Sequence, residues 1–520
     1  MAVNFTNDKI SPTIICLVFL AIACAIQLQL NLNHDTAWLF QIAFGILEGD
    51  KIGIDLIEVN PPMSTWICLP PAIFLNAIGG TPNVVFKLFF LTLAFGVTLG
   101  CGRLLAQNAV PQNQVNIFTA TLCMLIVIFP GYDFAQREQF AALLTLPYVI
   151  ASINRAEGRK SNMMGAIIIG VIAAIGIGMK PYFLCLPIFM EIWLMSKHRR
   201  LFAVFRTEAV AMMVSFVMYL GAVYVFAPGY YENVIPDAMK NYGGYSNSYS
   251  DTLRQLSKAL MPYFLMSILV AFIYKNTAHS NTTKAYYIAA AGFLVAAILQ
   301  KKGWNYHIYP VIFYMVLAIS HQIAAPRTDA NIAIDTSILK FVKVGILSLL
   351  AVSMLSPSFK ALSDNYSKFG TGARIAGIEA TIRAQEKAVT DRPVSVFAFI
   401  TSPRDIHPAV LNSKAEWAHN AVGLVYLPAA INGAYAKTKP GDFPQILEVS
   451  AQHDREMITA LIRNPPDLIF VHSGPDKLAI NDPAFDYLEY YLNTPDFAEF
   501  FLQYSETEPV MWYRVFEREQ

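Results

Sequence analysis

Apolar runs of roughly 20 residues recur along the first two thirds of this chain, each long enough to cross a hydrocarbon core about 30 Å thick. Inside such a core a backbone amide or carbonyl has no water to bond, so runs of this length fold as helices. The candidate spans are 10–31, 84–105, 114–130, 139–153, 163–179, 182–196, 204–227, 259–274, 285–300, 306–323 and 337–355. Composition agrees. Of the 520 residues 55% are hydrophobic and 14% charged, where a soluble chain carries about a quarter charged residues. The first run lacks a small-residue cleavage site and ends in a polar loop, so it reads as a retained helix rather than a cleaved signal. A net charge of +1 argues against nucleic acid as a partner.

Past Ser356 the texture changes. Charge rises, and short β-rich runs (Val394–Ile400, Leu468–His472, Met511–Glu517) alternate with helical patterns (Ala373–Ala388, Ala451–Ile462, Ala484–Tyr491). The expected organisation is a mainly α, polytopic bundle over 1–355 with an external loop at 32–83, followed by a soluble α/β domain over 356–520. All six cysteines (Cys16, Cys24, Cys68, Cys101, Cys123, Cys185) precede that domain, so no disulfide framework holds it.

Lys and Arg are enriched on the cytoplasmic side of membrane proteins. Arg155, Arg159 and Lys160 mark one internal loop, and Lys197, Arg199, Arg200 and Arg206 a second. Lys275 with Lys284 and Arg327 with Lys340 mark two more. These loops alternate consistently with eleven spans if Met63–Gly79 does not cross, which its Pro61-Pro62 and Pro70-Pro71 pairs favour. The N-terminus is then cytoplasmic and the C-terminal domain extracytoplasmic, on an inner-membrane protein. The unusual polar clusters all fall on the external face: His34/Asp35, Glu58/Asn60, Arg137-Glu138, Lys180-Pro181-Tyr182, and Gln300 to His307. Cations kept on the wrong side for topology are candidates for binding an anion.

Each residue carries more than one reading. Asp35 either caps a helix starting at Thr36 or serves as a general base. Glu58 is a solvated loop residue or a functional side chain held by the rigid Asn60-Pro61-Pro62 backbone. Trp38 and Trp304 belong to an interfacial belt or stack on a sugar. Arg137-Glu138 reads as a local pair at a helix start or as part of a site, and Lys180 snorkels or binds. Lys301 and Lys302 repel each other, and a phosphate between them would relieve that. His307 and Tyr306 follow Trp304 closely enough to join the same substrate contacts. His34, Asp35 and Glu58 are the candidate ligands for a divalent cation such as Mg or Mn, without compact ligand spacing to support one. The Tyr-rich stretch Pro228–Lys258 reads as a long loop, suited to a lid.

An external first loop with an Asp soon after the first span, then an acidic residue before Pro-Pro (Glu58-Val59-Asn60-Pro61-Pro62), resembles the GT-C superfamily of integral membrane glycosyltransferases. The nearest texture is its aminoarabinose and protein-mannosyl transferase branch. The resemblance covers residues 10 to about 355 as architecture. It implies a polyprenyl-phosphate sugar donor, Asp35 as catalytic base, and Glu58 as a second acidic residue placing the acceptor or a metal. The Lys-Lys-Gly-Trp loop and the C-terminal domain depart from the aminoarabinose enzymes. The expected activity is transfer of a hexose or pentose to a cell-envelope glycan, lipid (lipopolysaccharide among them) or protein. Lys301, Lys302, Lys180 and Arg137 would neutralise the departing phosphate. His34, Trp38, Asn60, Glu138, Tyr182, Trp304, Tyr306 and His307 would line the substrate. The alternatives are a transporter or flippase of lipid-linked sugars, for which Glu191 is the clearest mid-span carboxylate, and a non-catalytic envelope scaffold.

Overall fold

The computed structural model describes residues 11–107, 110–159, 161–274, 280–324, 336–432 and 443–519. Lys160, Lys275 and Arg327, used above to orient loops, lie outside them, as does the side chain of Lys340. The chain divides into two compact units. One comprises Met1–Leu30, Lys87–Leu220 and Asn247–Leu362; the other comprises Asn31–Phe86, Gly221–Ser246 and Ser363–Gln520.

A helix lies on each of the eleven candidate spans. They are Pro12–Gln27, Pro82–Gln107, Gln112–Val127, Arg137–Ala156, Met163–Gly178, Cys185–His198, Thr207–Phe226, Tyr249–Ile273, Asn281–Gln300, Asn305–Ala324 and Thr336–Tyr366. Among the described residues six helices are long and apolar enough to cross a membrane, and Pro12–Gln27 and Met163–Gly178 are shorter apolar ones. Burial sorts them. Asn305–Ala324 has 89% of its most apolar window buried, and Arg137–Ala156 is buried along nearly its whole length. Thr207–Phe226 and Phe341–Tyr366 have 22% buried and leave Val217, Met218, Phe226, Leu349 and Val352 exposed. Apolar rows of that extent are unfavourable in water and suit lipid. The chain is an integral membrane protein.

The second unit is built on a five-stranded sheet of order β2-β1-β3-β5-β4, with β1 Ser395–Phe399, β2 Glu416–Trp417, β3 Leu468–His472, β4 Tyr504–Glu506 and β5 Tyr513–Arg518. β1 pairs parallel with β2 and β3, and β5 pairs antiparallel with β3 and β4. Successive side chains of a strand face opposite sides, and here both sides are covered. Phe397, Phe399, Ile469, Val471 and Phe516 enter one core with Met457, Tyr487 and Phe497. Val396, Ala398, Leu468, Phe470 and Val515 enter another with Ile375, Ile378 and Val410. This is a three-layer α/β arrangement, and double burial explains why Leu468–His472 reads as a continuous apolar run.

Two loop expectations concern this unit, the second only as far as Ser246. Met63–Gly79 forms helices Met63–Trp66 and Leu69–Ile78. The longer spans about 15 Å, half a hydrocarbon core. The stretch Pro228–Lys258 is not the extended loop expected. It holds a π-helical turn at Tyr230–Val234, a helix Ile235–Asn241 and a 3-10 turn Tyr242–Tyr245, then joins the helix starting at Tyr249. The Ser248 side chain accepts from the Asp251 amide and caps that last helix, a start signal hidden among the tyrosines.

Candidate active site

In the second unit the helix His34–Glu48 is capped by Asn33, whose side chain accepts from the Asp35 backbone amide at 2.9 Å. The capping alternative for Asp35 is therefore corrected: Asn33 performs it, two residues earlier. Asp35 sits in the first turn, where the aligned backbone dipoles favour a carboxylate. Its Oδ1 lies 3.6 Å from His34 Nε2, and the two side chains are 20% and 16% exposed.

Glu58 is neither solvated nor facing solvent; it is 3% exposed. Its Oε2 accepts from Trp38 Nε1 at 2.6 Å, and its Oε1 accepts from the Asn60 amide at 2.7 Å and from Asn60 Nδ2. Trp38 is also buried, its ring 4.9 Å from that of His407, so the belt reading fails. His407 is wholly buried and bridges Gln41 Oε1 at 3.0 Å and the Val422 carbonyl at 2.8 Å. The loop continues the same way: Ile57 and Val59 pack with Ala421, Val425, Tyr426, Tyr242 and Tyr245. The carboxylates that stood together in the sequence thus part ways. Asp35 stays at the edge of the fold, while Glu58 fixes the Trp38–Asn60 loop.

The divalent-cation option does not fit this donor set. Among the described residues no three His, Cys, Asp or Glu side chains converge as metal ligands, and Glu58 already serves three donors.

In the first unit a buried polar group forms where several helices end. Lys180, just after Met163–Gly178, donates from Nζ to Glu138 Oε1 at 2.5 Å, to Gln300 Oε1 at 3.0 Å and to His307 Nε2 at 3.2 Å. An ammonium has three hydrogens, so these contacts use all of them. Snorkelling is excluded for Lys180, which is 7% exposed. Glu138 is fully buried and pairs with Lys180. Arg137 is itself buried in the first turn of its helix. Tyr306 and Trp304 complete the wall. Lys180 Nζ lies 5.6 Å from the Tyr306 ring centre, and the Trp304 ring lies 5.4 Å from that of His307.

Lys301 and Lys302 do not clasp one anion between them. Lys301 takes a left-handed backbone (φ 52°) at the end of Asn281–Gln300, and its Nζ stacks 3.9 Å over the Tyr249 ring. Lys302 turns the other way and is buried, 5.6 Å from the Trp304 ring centre. Burial, reinforced by the Lys180 ammonium, pushes the Lys302 amine down to about 7. Gly303 makes this reversal possible. Its φ is +65°, and a Cβ there would stand 1.7 Å from Gln255 Oε1. Tyr182 lies apart as a 40% exposed residue of the 3-10 turn Pro181–Leu184.

One feature escaped the sequence reading, and a second, Glu191, gained partners that it did not foresee. Lys87, inside the apolar helix Pro82–Gln107, is 1% exposed and donates to the Gln27 and Leu30 carbonyls at 2.6 and 2.5 Å, closing the end of Pro12–Gln27. A lone lysine within a 26-residue apolar helix was the signal that could have found it. Glu191, the carboxylate that favoured a transporter, pairs with Arg206 and Tyr148, while Arg155 grips the buried Glu208 through two bonds of 2.8 and 2.9 Å.

No protein-family model and no curated protein matches the sequence. Among solved structures the chain is similar to ArnT from Cupriavidus metallidurans, crystallised bound to undecaprenyl phosphate. The TM-score is 0.59 at 14% identity, covering 96% of this chain and 97% of that one. At such identity the likeness speaks for the fold, and it extends through the C-terminal α/β domain as well as the helical bundle. The chain has the fold of ArnT over nearly its whole length.

Proposed function

We propose that this protein is an inverting membrane glycosyltransferase. It would move a sugar from a polyprenyl-phosphate donor to a cell-envelope glycan, lipid or protein acceptor on the outer face of the inner membrane. The observation that carries the reading most is the buried Lys180–Glu138–Gln300–His307 group with Lys302 beside it. An amine held near neutrality by burial, and further by a neighbouring ammonium, regains its proton when an anion arrives. The ArnT likeness, a fold found holding undecaprenyl phosphate, agrees with a lipid-linked phosphate as that anion.

In the proposed step the acceptor hydroxyl oxygen forms a bond to the anomeric carbon as the carbon–oxygen bond to phosphate breaks. The electron pair leaves with the polyprenyl phosphate and the hydroxyl proton passes to Asp35. Attack opposite the leaving group inverts the anomeric centre. Lys302 meets the developing phosphate charge directly. Lys180, whose hydrogens are committed, contributes through its field and by holding His307 and Glu138. Glu58 positions the loop rather than exchanging protons. The transporter reading loses its main support, since Glu191 is engaged by Arg206.

The test is Asp35→Asn, assayed by transfer of labelled sugar from a polyprenyl-phosphate donor into envelope extracts. Transfer should fall below detection while the protein still folds and inserts. Wild-type turnover by Asp35→Asn would refute the mechanism.

A further inference from the structure

A small cavity of about 20 Å³ lies in the sheet-bearing unit, between the segment Ala421–Leu427 and the helix Phe443–Arg463, with Ile57 on a third side. Its innermost polar residues are Tyr426 and Ser450, each 3% exposed, and neither hydroxyl has a hydrogen-bond partner among the described residues. Buried hydroxyls are rarely left so, and a pair lining one cavity points to a partner supplied from outside. The half-buried His419, His453 and Asp454 line it nearer the surface.

Size and charge narrow the ligand. The space admits about one water-sized group, enough for a hydroxyl or hydroxymethyl but not for a ring or a phosphate. Carboxylates crowd the rim: Asp454 accepts from Tyr491 at 2.6 Å, and His453 stands 3.1 Å from Asp237 and 3.6 Å from Glu456. An anion would be repelled there. A cation finds Asp454 already accepting from Tyr491 and His453 already set against Asp237, and burial, which raises the Asp454 carboxyl to about 6, weakens its ionised form. Hydroxyls, imidazoles and a carboxyl beside an apolar Ile57 suit an uncharged sugar, which offers hydroxyls and C–H faces together.

The cavity is also tied to the proposed chemistry. Ile57 precedes Glu58, and its amide donates to the Asn420 carbonyl at 2.6 Å while it bridges to Ala421. We infer that this cavity is a binding subsite for an uncharged sugar residue of the acceptor, one hydroxyl or hydroxymethyl group entering between Tyr426 and Ser450. Its assignment to the acceptor rests on the glycosyl-transfer reading; the binding itself does not.

The experiment uses the full chain in nanodiscs. Methyl glucoside, methyl galactoside and methyl mannoside are the probes, with glucose 6-phosphate and glucosamine as charged comparisons, followed by calorimetry and saturation-transfer NMR. At least one neutral glycoside should saturate. Tyr426→Phe and Ser450→Ala should each weaken it about fivefold, and together about twentyfold, the worth of one hydrogen bond apiece. Neither substitution removes a bond made in the protein, so the thermal midpoint should hold. Asp35→Asn should bind the glycoside like wild type, which separates this proposal from the catalytic one. Equal binding by the double variant, preference for either charged sugar, or no saturation below about 100 mM would overturn the subsite.

Discussion

Lys302 offers the most direct test of where the donor phosphate binds. In water a lysine titrates near about 10.4; here burial and the Lys180 ammonium bring it down to about 7. Phosphate binding needs the ammonium, and above pH 7 the free protein loses that proton about tenfold per pH unit, or about 1.4 kcal/mol. Between pH 7 and 9 the affinity for undecaprenyl phosphate should therefore fall by about two orders of magnitude. A phosphate monoester has its second pKa near about 6, so the ligand's own charge is constant over this window. Stability runs the opposite way. A lysine whose folded pKa lies below its unfolded one destabilises the protein fully below the folded pKa, because the native state must bury its charge. That cost fades as pH climbs from about 7 toward about 10.4, where the unfolded chain also gives up its proton. The apoprotein should then grow more stable while its donor affinity falls. The assay is a titration with undecaprenyl phosphate in nanodiscs at pH 7, 8 and 9 and fixed ionic strength, followed by the fluorescence of Trp304 and its fellow tryptophans. Lys302→Met should bind weakly at pH 7 and show no slope. A flat wild-type profile, or the same slope in Lys302→Met, refutes the reasoning.

Other outcomes follow from the same geometry. Glu58→Gln replaces charge-assisted bonds to Trp38 and Asn60 with neutral ones and sets an amide donor against one of them. It should cost about 2 kcal/mol, seen as a lower melting temperature, while transfer stays within about tenfold of wild type; loss as complete as in Asp35→Asn would return Glu58 to a chemical role. His472 is buried beside Lys477 and lowered to about 4. Its unfolded form binds a proton below about 6.5 that the native form refuses, so stability drops as pH falls from there to about 4. His472→Gln should relieve about 2 kcal/mol of that loss at pH 5, measured by thermal unfolding at pH 7 and 5; an unchanged acid slope would dismiss the burial argument.

The parts legible from sequence were those with a local signal. Eleven apolar runs became eleven helices, because a span is specified by its own length and hydropathy. Leu468–His472 is a strand with the expected ends, since continuous β-branched and aromatic residues mark a strand buried on both faces. The first-loop motif led to the right fold. Misreadings came where neighbours in sequence part in space. The capping alternative weighed for Asp35 falls to Asn33, two residues earlier. Lys301 and Lys302 were paired on paper, yet a left-handed residue and Gly303 send them to separate surroundings. The tyrosine-rich stretch at 228–258 carried helix starts that its composition masked.

Sequence by itself determined that this is a membrane chain of many helices with an α/β domain behind it, and that Asp35, Glu58 and a handful of cations beside the spans needed explanation. Only the tertiary structure decided their duties. Glu58 became an anchor because Trp38, twenty residues away, and Asn60 turn their donors onto it. His407 reaches Gln41 across 366 residues of chain, and Lys180 reaches Gln300 across 120. Whether a carboxylate or an amine reacts, holds or caps depends on what shares its few ångströms of low-dielectric space. Those partners are chosen by packing between distant segments, which no local pattern records.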